Sequence, residues 1–193
     1  MELDKLLSEL ENYGEKNDTE VTERSQKLLN ITRETGEFLS VLIKATMAEN
    51  ILEVGTSNGY STLWLASSIP PSGMVTTLEV LPHKIEQAKR NFQNAGLEKR
   101  IDLVQTDAVE YFKTLNRQYD LIFLDAERTD YMKFAEDVTE ALRVGGLLVC
   151  DNAISHRSEL IDFTNYIKSH PDFTTCLVPV GKGEFLAYKD AYR

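Results

Sequence analysis

Five short apolar runs of this chain end on, or just before, an acid: Glu53 in NILEV, Glu79 in MVTTLEV, Asp107 after RIDLVQ, Asp125 in YDLIFLD, and Asp151 with Asn152 after GLLVC. A carboxylate removed from water needs a donor or a cation beside it, because burying it alone is costly. Asp107 has an ordinary explanation as the N-cap of the helix AVEYFKTL. Glu53 and Asp125 lie in or at the end of buried runs, where a cap explains little. In an open parallel sheet such strand ends share one edge, and ligands bind in the crevice outside it. The acids therefore point to a crevice that holds positive charge and hydroxyl groups.

The first of these junctions reads EVGTSNGYSTLWLA. Gly55 and Gly59 allow close backbone approach, and the helix that follows offers free N–H groups. Position 57 is serine, so this is not the G-x-G-x-x-G dinucleotide fingerprint, and no G-K-[ST] phosphate loop occurs. A nicotinamide dehydrogenase is disfavoured on that ground. Glu79, at the end of the next run, is placed to accept both hydroxyls of a ribose. A glycine turn with a ribose acid and no phosphate equipment implies a nucleoside ligand without phosphate.

The elements that must position these residues can be read from periodicity. Residues 1–48 read as a helical segment: LDKLLSELENYG closing on Gly14, a second helix over TEVTERSQKLLNI, and a third from an N-cap at Thr32. From residue 49 to 193, apolar runs alternate with helical patterns that begin near Tyr60, Pro82, Asp107, Thr129 and Ser158. Pro82 is a start signal and Gly96 a stop. FTTCLVPV, GKG and EFLAYK read as two strands joined by a turn, so an antiparallel strand lies at or next to the sheet edge. The expected fold is one α/β domain: a Rossmann-like, doubly wound, mostly parallel sheet of about seven strands with a C-terminal antiparallel hairpin.

The bulk properties narrow the ligand. The chain has 193 residues, 42% hydrophobic and 27% charged, an ordinary soluble composition for a single domain. Its 21 basic against 31 acidic residues give a net charge of −10, which argues against general nucleic-acid binding and favours small, especially cationic, ligands. No stretch is apolar enough to span a membrane, and MELDKLLSELENYGEK is a charged helix pattern, not a signal peptide. Cys150 and Cys176 both sit in apolar runs, so two buried free thiols and a cytoplasmic location are expected.

ILEVGTSNGYSTLWLA with TLEV resembles the S-adenosylmethionine site of Rossmann-like methyltransferases, and its G-Y-S resembles the catechol and caffeoyl-CoA O-methyltransferases. TRETGEFLSVLI, FLDAERTDY, GGLLVCDNA and LVPVGKGEFLAYK are similar to further stretches of that family in the same order, over about residues 30 to 190. The resemblance implies that Glu53, Gly55, Thr56, Gly59, Ser61 and Glu79 surround the cofactor, and that Asp107 and Ala108 contact its adenine. It also implies that Asp125, Asp151 and Asn152 ligate a metal. Two carboxylates and an amide oxygen are hard donors, suited to Mg2+, Ca2+ or Mn2+ rather than zinc. Asp151 and Asn152 can share an ion only if the strand has ended there, since neighbours within a strand face opposite ways. An Asp-Asn turn without metal is the alternative.

One position departs from the resemblance. Animal and plant members carry a lysine three residues after the first metal aspartate, where this chain has Arg128. Arginine stays protonated, so it is a poor general base, yet it can steady a phenolate or grip a carboxylate or phosphate. His156, in the turn after Asn152, is a candidate base or substrate contact, with simple exposure as the alternative. Asp125, Arg128 and His156 are thus the catalytic candidates. The expected activity is metal-dependent O-methylation of a small, catechol-like hydroxyl acceptor. Hydroxylated uridine in transfer RNA is a second acceptor class, and a cofactor-binding protein without transferase activity is a third reading. The N-terminal helices are expected either to form a homodimer interface or to act as a lid.

Overall fold

The computed structural model describes residues 2–191. Seven strands form one sheet: β1 (Asn50–Val54), β2 (Met74–Glu79), β3 (Ile101–Gln105), β4 (Tyr119–Leu124), β5 (Leu142–Cys150), β6 (Phe173–Val178) and β7 (Glu184–Lys189). Their order is β3-β2-β1-β4-β5-β7-β6, parallel except for β7, which is antiparallel to both neighbours. The sheet is therefore the expected doubly wound one. Among the described residues the α-helices are α1 (Leu3–Glu20), α2 (Arg33–Thr46), α3 (Tyr60–Ser68), α4 (Pro82–Ala95), α5 (Ala108–Thr114), α6 (Ala135–Ala141) and α7 (Arg157–Ser169).

The period of two along each strand builds two cores. Ile51, Leu121, Phe123, Leu147 and Val149 point to the face covered by α1 to α4, together with Leu7, Leu39, Leu63 and Phe92. Leu52, Ile122, Leu124, Leu148 and Cys150 point to the other face, under α5 to α7 with Phe112, Val138 and Phe163. The same parity places Glu53 on the α1–α4 side. Strand order reverses between β1 and β4, and the crevice at this switch point is where an open α/β sheet takes a ligand.

Several local readings need correction. α1 does not stop at Gly14 but runs on to Glu20; a Cβ at Gly14 would strike the Asn30 amide, so this glycine serves a close approach. Residues 21–31 are not a second helix. They form an extended strap with one 3-10 turn at Arg24–Gln26, because the Asp18 carboxylate takes the N–H groups of Leu28 (2.7 Å) and Leu29 (2.8 Å). The helix expected near Thr129 begins as a 3-10 turn over Arg128–Phe134 before α6. β5 starts at Leu142, earlier than Gly146, with a register shift at its base. Cys176 is exposed because β6 is the sheet edge, whereas Cys150 is a buried free thiol. Among the described residues no helix is long and apolar enough to cross a membrane.

Candidate active site

A cavity of about 560 Å³ opens at the switch point. Its floor is the turn after β1. Gly55 (φ +107°) lies so close to β4 that a Cβ would collide with the Asp125 carbonyl oxygen. Gly59 (φ +87°) caps α3 beneath it. Glu79 is nearly buried, and three backbone N–H groups hold its carboxylate: Ser57 at 2.9 Å on one oxygen, Val80 at 2.9 Å and Leu81 at 3.0 Å on the other. The oxygen facing Ser57 keeps a lone pair for a ligand hydroxyl. Asp107 caps α5 through Val109 N (2.8 Å), as its cap reading expects, and lines the cavity with Ala108.

Thr56 and Ser61 line this half, while Glu53 and Gly59 support it from behind. The fully buried Glu53 carboxylate accepts the hydroxyls of Thr62 and Thr77, each at 2.5 Å, and Thr77 also meets Thr56 at 2.6 Å. Burial pushes Glu53 up to about 7 from its ordinary 4.5, against the lowering effect of those hydroxyls.

The strap over residues 21–31 roofs the cavity with Arg24, Ser25 and Leu28 to Ile31. Ser57 Oγ donates to the Leu28 carbonyl at 2.7 Å, and Arg24 pairs with Glu127 at 3.2 Å, so both cavity walls fasten the roof. Sequence reading missed this roof, as it missed Asn58, Lys84 and Lys182 in the lining. Val21, Leu28 and Ile31 fall at helical spacing, whereas the anchors Asp18 and Ser57 lie 10 and 29 residues from Leu28.

The acceptor half sits at the ends of β4 and β5. The strand has ended at Cys150, and Asn152 adopts a left-handed conformation (φ +67°). Its amide nitrogen then reaches Asp151 Oδ2 at 2.7 Å and Asp125 Oδ1 at 3.3 Å. With the strand ended, the three side chains meet, and the Asn152 amide N–H groups bridge the Asp125 and Asp151 carboxylates while its oxygen faces Ser155 Oγ. Among the described residues no three His, Cys, Asp or Glu side chains gather to hold an ion. Burial and the neighbouring Asp151 charge push Asp125 well above the usual carboxylate range. Glu184, buried at the start of β7, faces Asp151 and takes the Thr35 hydroxyl at 3.0 Å; burial and Asp151 push it up to about 10. This crowding of acids fits a cation as the missing partner.

Arg128 is buried, its Nε 2.8 Å from Glu159 Oε2, and its charge acts on Asp125. His156 lines the cavity, with Nδ1 2.9 Å from Ser155 Oγ. Tyr131 is a buried anchor whose hydroxyl takes the Ala126 N–H at 2.8 Å and holds the loop after Asp125.

The O-methyltransferase family profile matches residues 3–190. The chain belongs to that family. It is 36% identical over 125 residues to a catechol O-methyltransferase of Mycobacterium tuberculosis, covering 64% of this chain and 57% of that protein. It is 32% identical over 138 residues to a catechol O-methyltransferase of Niastella koreensis, covering 69% of this chain and 62% of that one. The match thus spans less than two thirds of either relative. Among solved structures, the O-methyltransferase TomG of Streptomyces achromogenes in complex with S-adenosylmethionine superposes with a TM-score of 0.77 at 26% identity, covering 84% of this chain and 82% of that one.

Proposed function

We propose that this family member is an S-adenosylmethionine-dependent enzyme that methylates a hydroxyl of a small acceptor with the help of a divalent cation, Mg2+ first among the candidates. The observation that supports this reading is that Asn152 contacts both Asp125 and Asp151, with Asp125 and Asn152 lining the cavity that also contains Gly55 and Glu79 and Asp151 buried beside them. When bound, the cofactor supplies the methyl group, and the cation supplies the charge that favours an ionised acceptor oxygen. Glu79 would accept the ribose hydroxyls, Asp107 and Ala108 would flank the adenine, and Asp125, Asp151 and Asn152 would hold the cation. The roof excludes water and, with the floor, fixes the two reactants in attack geometry. Arg128 cannot accept the acceptor proton; its fixed positive charge, which acts on Asp125, favours an anionic acceptor. His156 is the titratable side chain at the rim that could carry that proton away.

A vicinal diol on an aromatic ring suits this site, since two oxygens can chelate one ion. The acidic balance of the chain speaks against an RNA acceptor. Both cysteines are free and one is exposed, which fits a reducing compartment, and we place the protein in the cytoplasm. The test is methyl transfer from labelled cofactor to a catechol panel, with Mg2+ or with chelator. Transfer that stops on chelation, returns with Mg2+ and is lost in Asp151→Ala is expected. Transfer that survives both changes would remove the cation from the mechanism, and cofactor binding without any transfer would favour a non-catalytic binding protein.

A further inference from the structure

Most charged groups around the cavity already have a counterpart. Arg24 and Glu127 pair with each other, Asp130 pairs with Lys133, and Glu79 is held by backbone N–H groups. On the acceptor side Arg128 has donors to spare beyond its one ion pair, and Lys182 has no close carboxylate among the described residues. Arg128 spends only Nε on Glu159; among the described residues neither terminal nitrogen of its guanidinium finds a hydrogen-bond acceptor. The side chain is thereby fixed, with its fork open to the cavity it lines. Lys182 lines the same region and has no carboxylate within 4.0 Å among the described residues.

Lys182 is not a loosely placed surface lysine. It sits between Gly181 (φ +54°) and Gly183 (φ +95°), two left-handed positions that shape the β6–β7 turn. Its carbonyl takes the N–H groups of Ile154 (3.2 Å) and Ser155 (3.1 Å), which ties the turn to the segment carrying Asp151 and Asn152. The charge that both cations feel is that of Asp125. Once Asp125 serves a bound cation, Lys182 has no close anion among the described residues and Arg128 keeps only Glu159, at its Nε.

We propose that the hydroxyl acceptor carries an anionic group, a carboxylate, and that Arg128 and Lys182 are the specificity-determining residues that receive it. The inference rests on reading this cavity as that of an O-methyltransferase. Arginine offers a planar fork for two carboxylate oxygens, and lysine adds a point charge beside it. The same pair disfavours a cationic acceptor by like-charge repulsion.

The test is calorimetric binding of three matched probes to the full chain saturated with S-adenosylhomocysteine and Mg2+: 3,4-dihydroxybenzoate, 3,4-dihydroxybenzyl alcohol and 3,4-dihydroxybenzylamine. The benzoate is expected to bind about 10-fold more tightly than the alcohol, with the amine weakest. Lys182→Met should shrink the benzoate-to-alcohol ratio several-fold, and adding Arg128→Lys, which keeps the charge but removes the fork, should bring it close to one. Equal binding of benzoate and alcohol, no benzoate binding, or a ratio unmoved by Lys182→Met overturns the proposal. Labelled transfer to plain catechol is measured in parallel. Transfer there without a benzoate preference sinks the acceptor assignment alone, whereas benzoate preference without transfer to any probe sinks the activity and leaves the anion site standing.

Discussion

The two halves of the crevice handle their acids in opposite ways. On the β1–β2 side the acids that line the cavity are held by backbone donors, Glu79 by three N–H groups and Asp107 by Val109 N, while behind them one oxygen of Glu53 takes two threonine hydroxyls and the other has no partner among the described residues. On the β4–β5 side Asp125, Asp151 and Glu184 crowd one another, with one asparagine amide between two of them. The lining acids of the first half are held in place as the chain folds, with lone pairs left for a hydroxyl-bearing ligand. In the second, no ion pair reaches any of its three acids among the described residues. Preorganised backbone donors suit recognition of a constant cofactor, and unbalanced charge suits a site completed by a cation and an anionic oxygen.

The largest effect should come from the acid that looks most settled. Glu53 rises from 4.5 to about 7 on burial, so between those values the folded chain holds a proton that the unfolded chain has lost. Stability is then fully present below about pH 4.5 and falls as pH rises to about 7, by about 3 kcal/mol in all. Glu53→Gln should flatten that part of the stability–pH curve in denaturant titrations. An unchanged slope would mean that Glu53 is not matched as described. Next is Glu79→Ala, expected to weaken S-adenosylhomocysteine binding by about 2 kcal/mol while leaving cation uptake intact. Loss of both by calorimetry would erase the distinction between the halves.

Two smaller effects probe how the halves are joined. Tyr131→Phe removes the hydroxyl that takes the Ala126 N–H, and should lower stability by about 1 kcal/mol, a loss of about 2–4 °C in Tm. It should reduce transfer more than cofactor affinity, because the loop it anchors carries Asp125. Arg24→Ala breaks an ion pair whose partners are 61% and 49% exposed, so its stability cost should stay below about 1 kcal/mol. Its signature is faster release of bound S-adenosylhomocysteine in stopped flow, since the pair fastens the roof.

The strands and the strand-end acids were legible in the sequence because both sheet faces are covered, and buried runs such as LIFL carry an unambiguous signal. The glycine turn was legible because Gly55 and Gly59 both need positive φ. The strap was not, since Leu28 and Ile31 are buried as helix leucines would be, while its backbone partners are side chains far away in sequence. Glu184 and Lys182 were hidden for a topological reason. They read as hairpin residues, and only the insertion of β7 between β5 and β6 brings them to Asp151 and Asn152. Glu53 was correctly read as buried, but parity turns it away from the cavity toward Thr62 and Thr77.

The central claim is that the β4–β5 half is completed by one divalent ion beside the cofactor. Calorimetric titration of Mg2+ into the protein loaded with S-adenosylhomocysteine tests it directly. One ion per chain is predicted, with the binding heat lost in Asp151→Asn and retained in Glu79→Ala. No saturable heat, or the same heat in Asp151→Asn as in the parent chain, would contradict it.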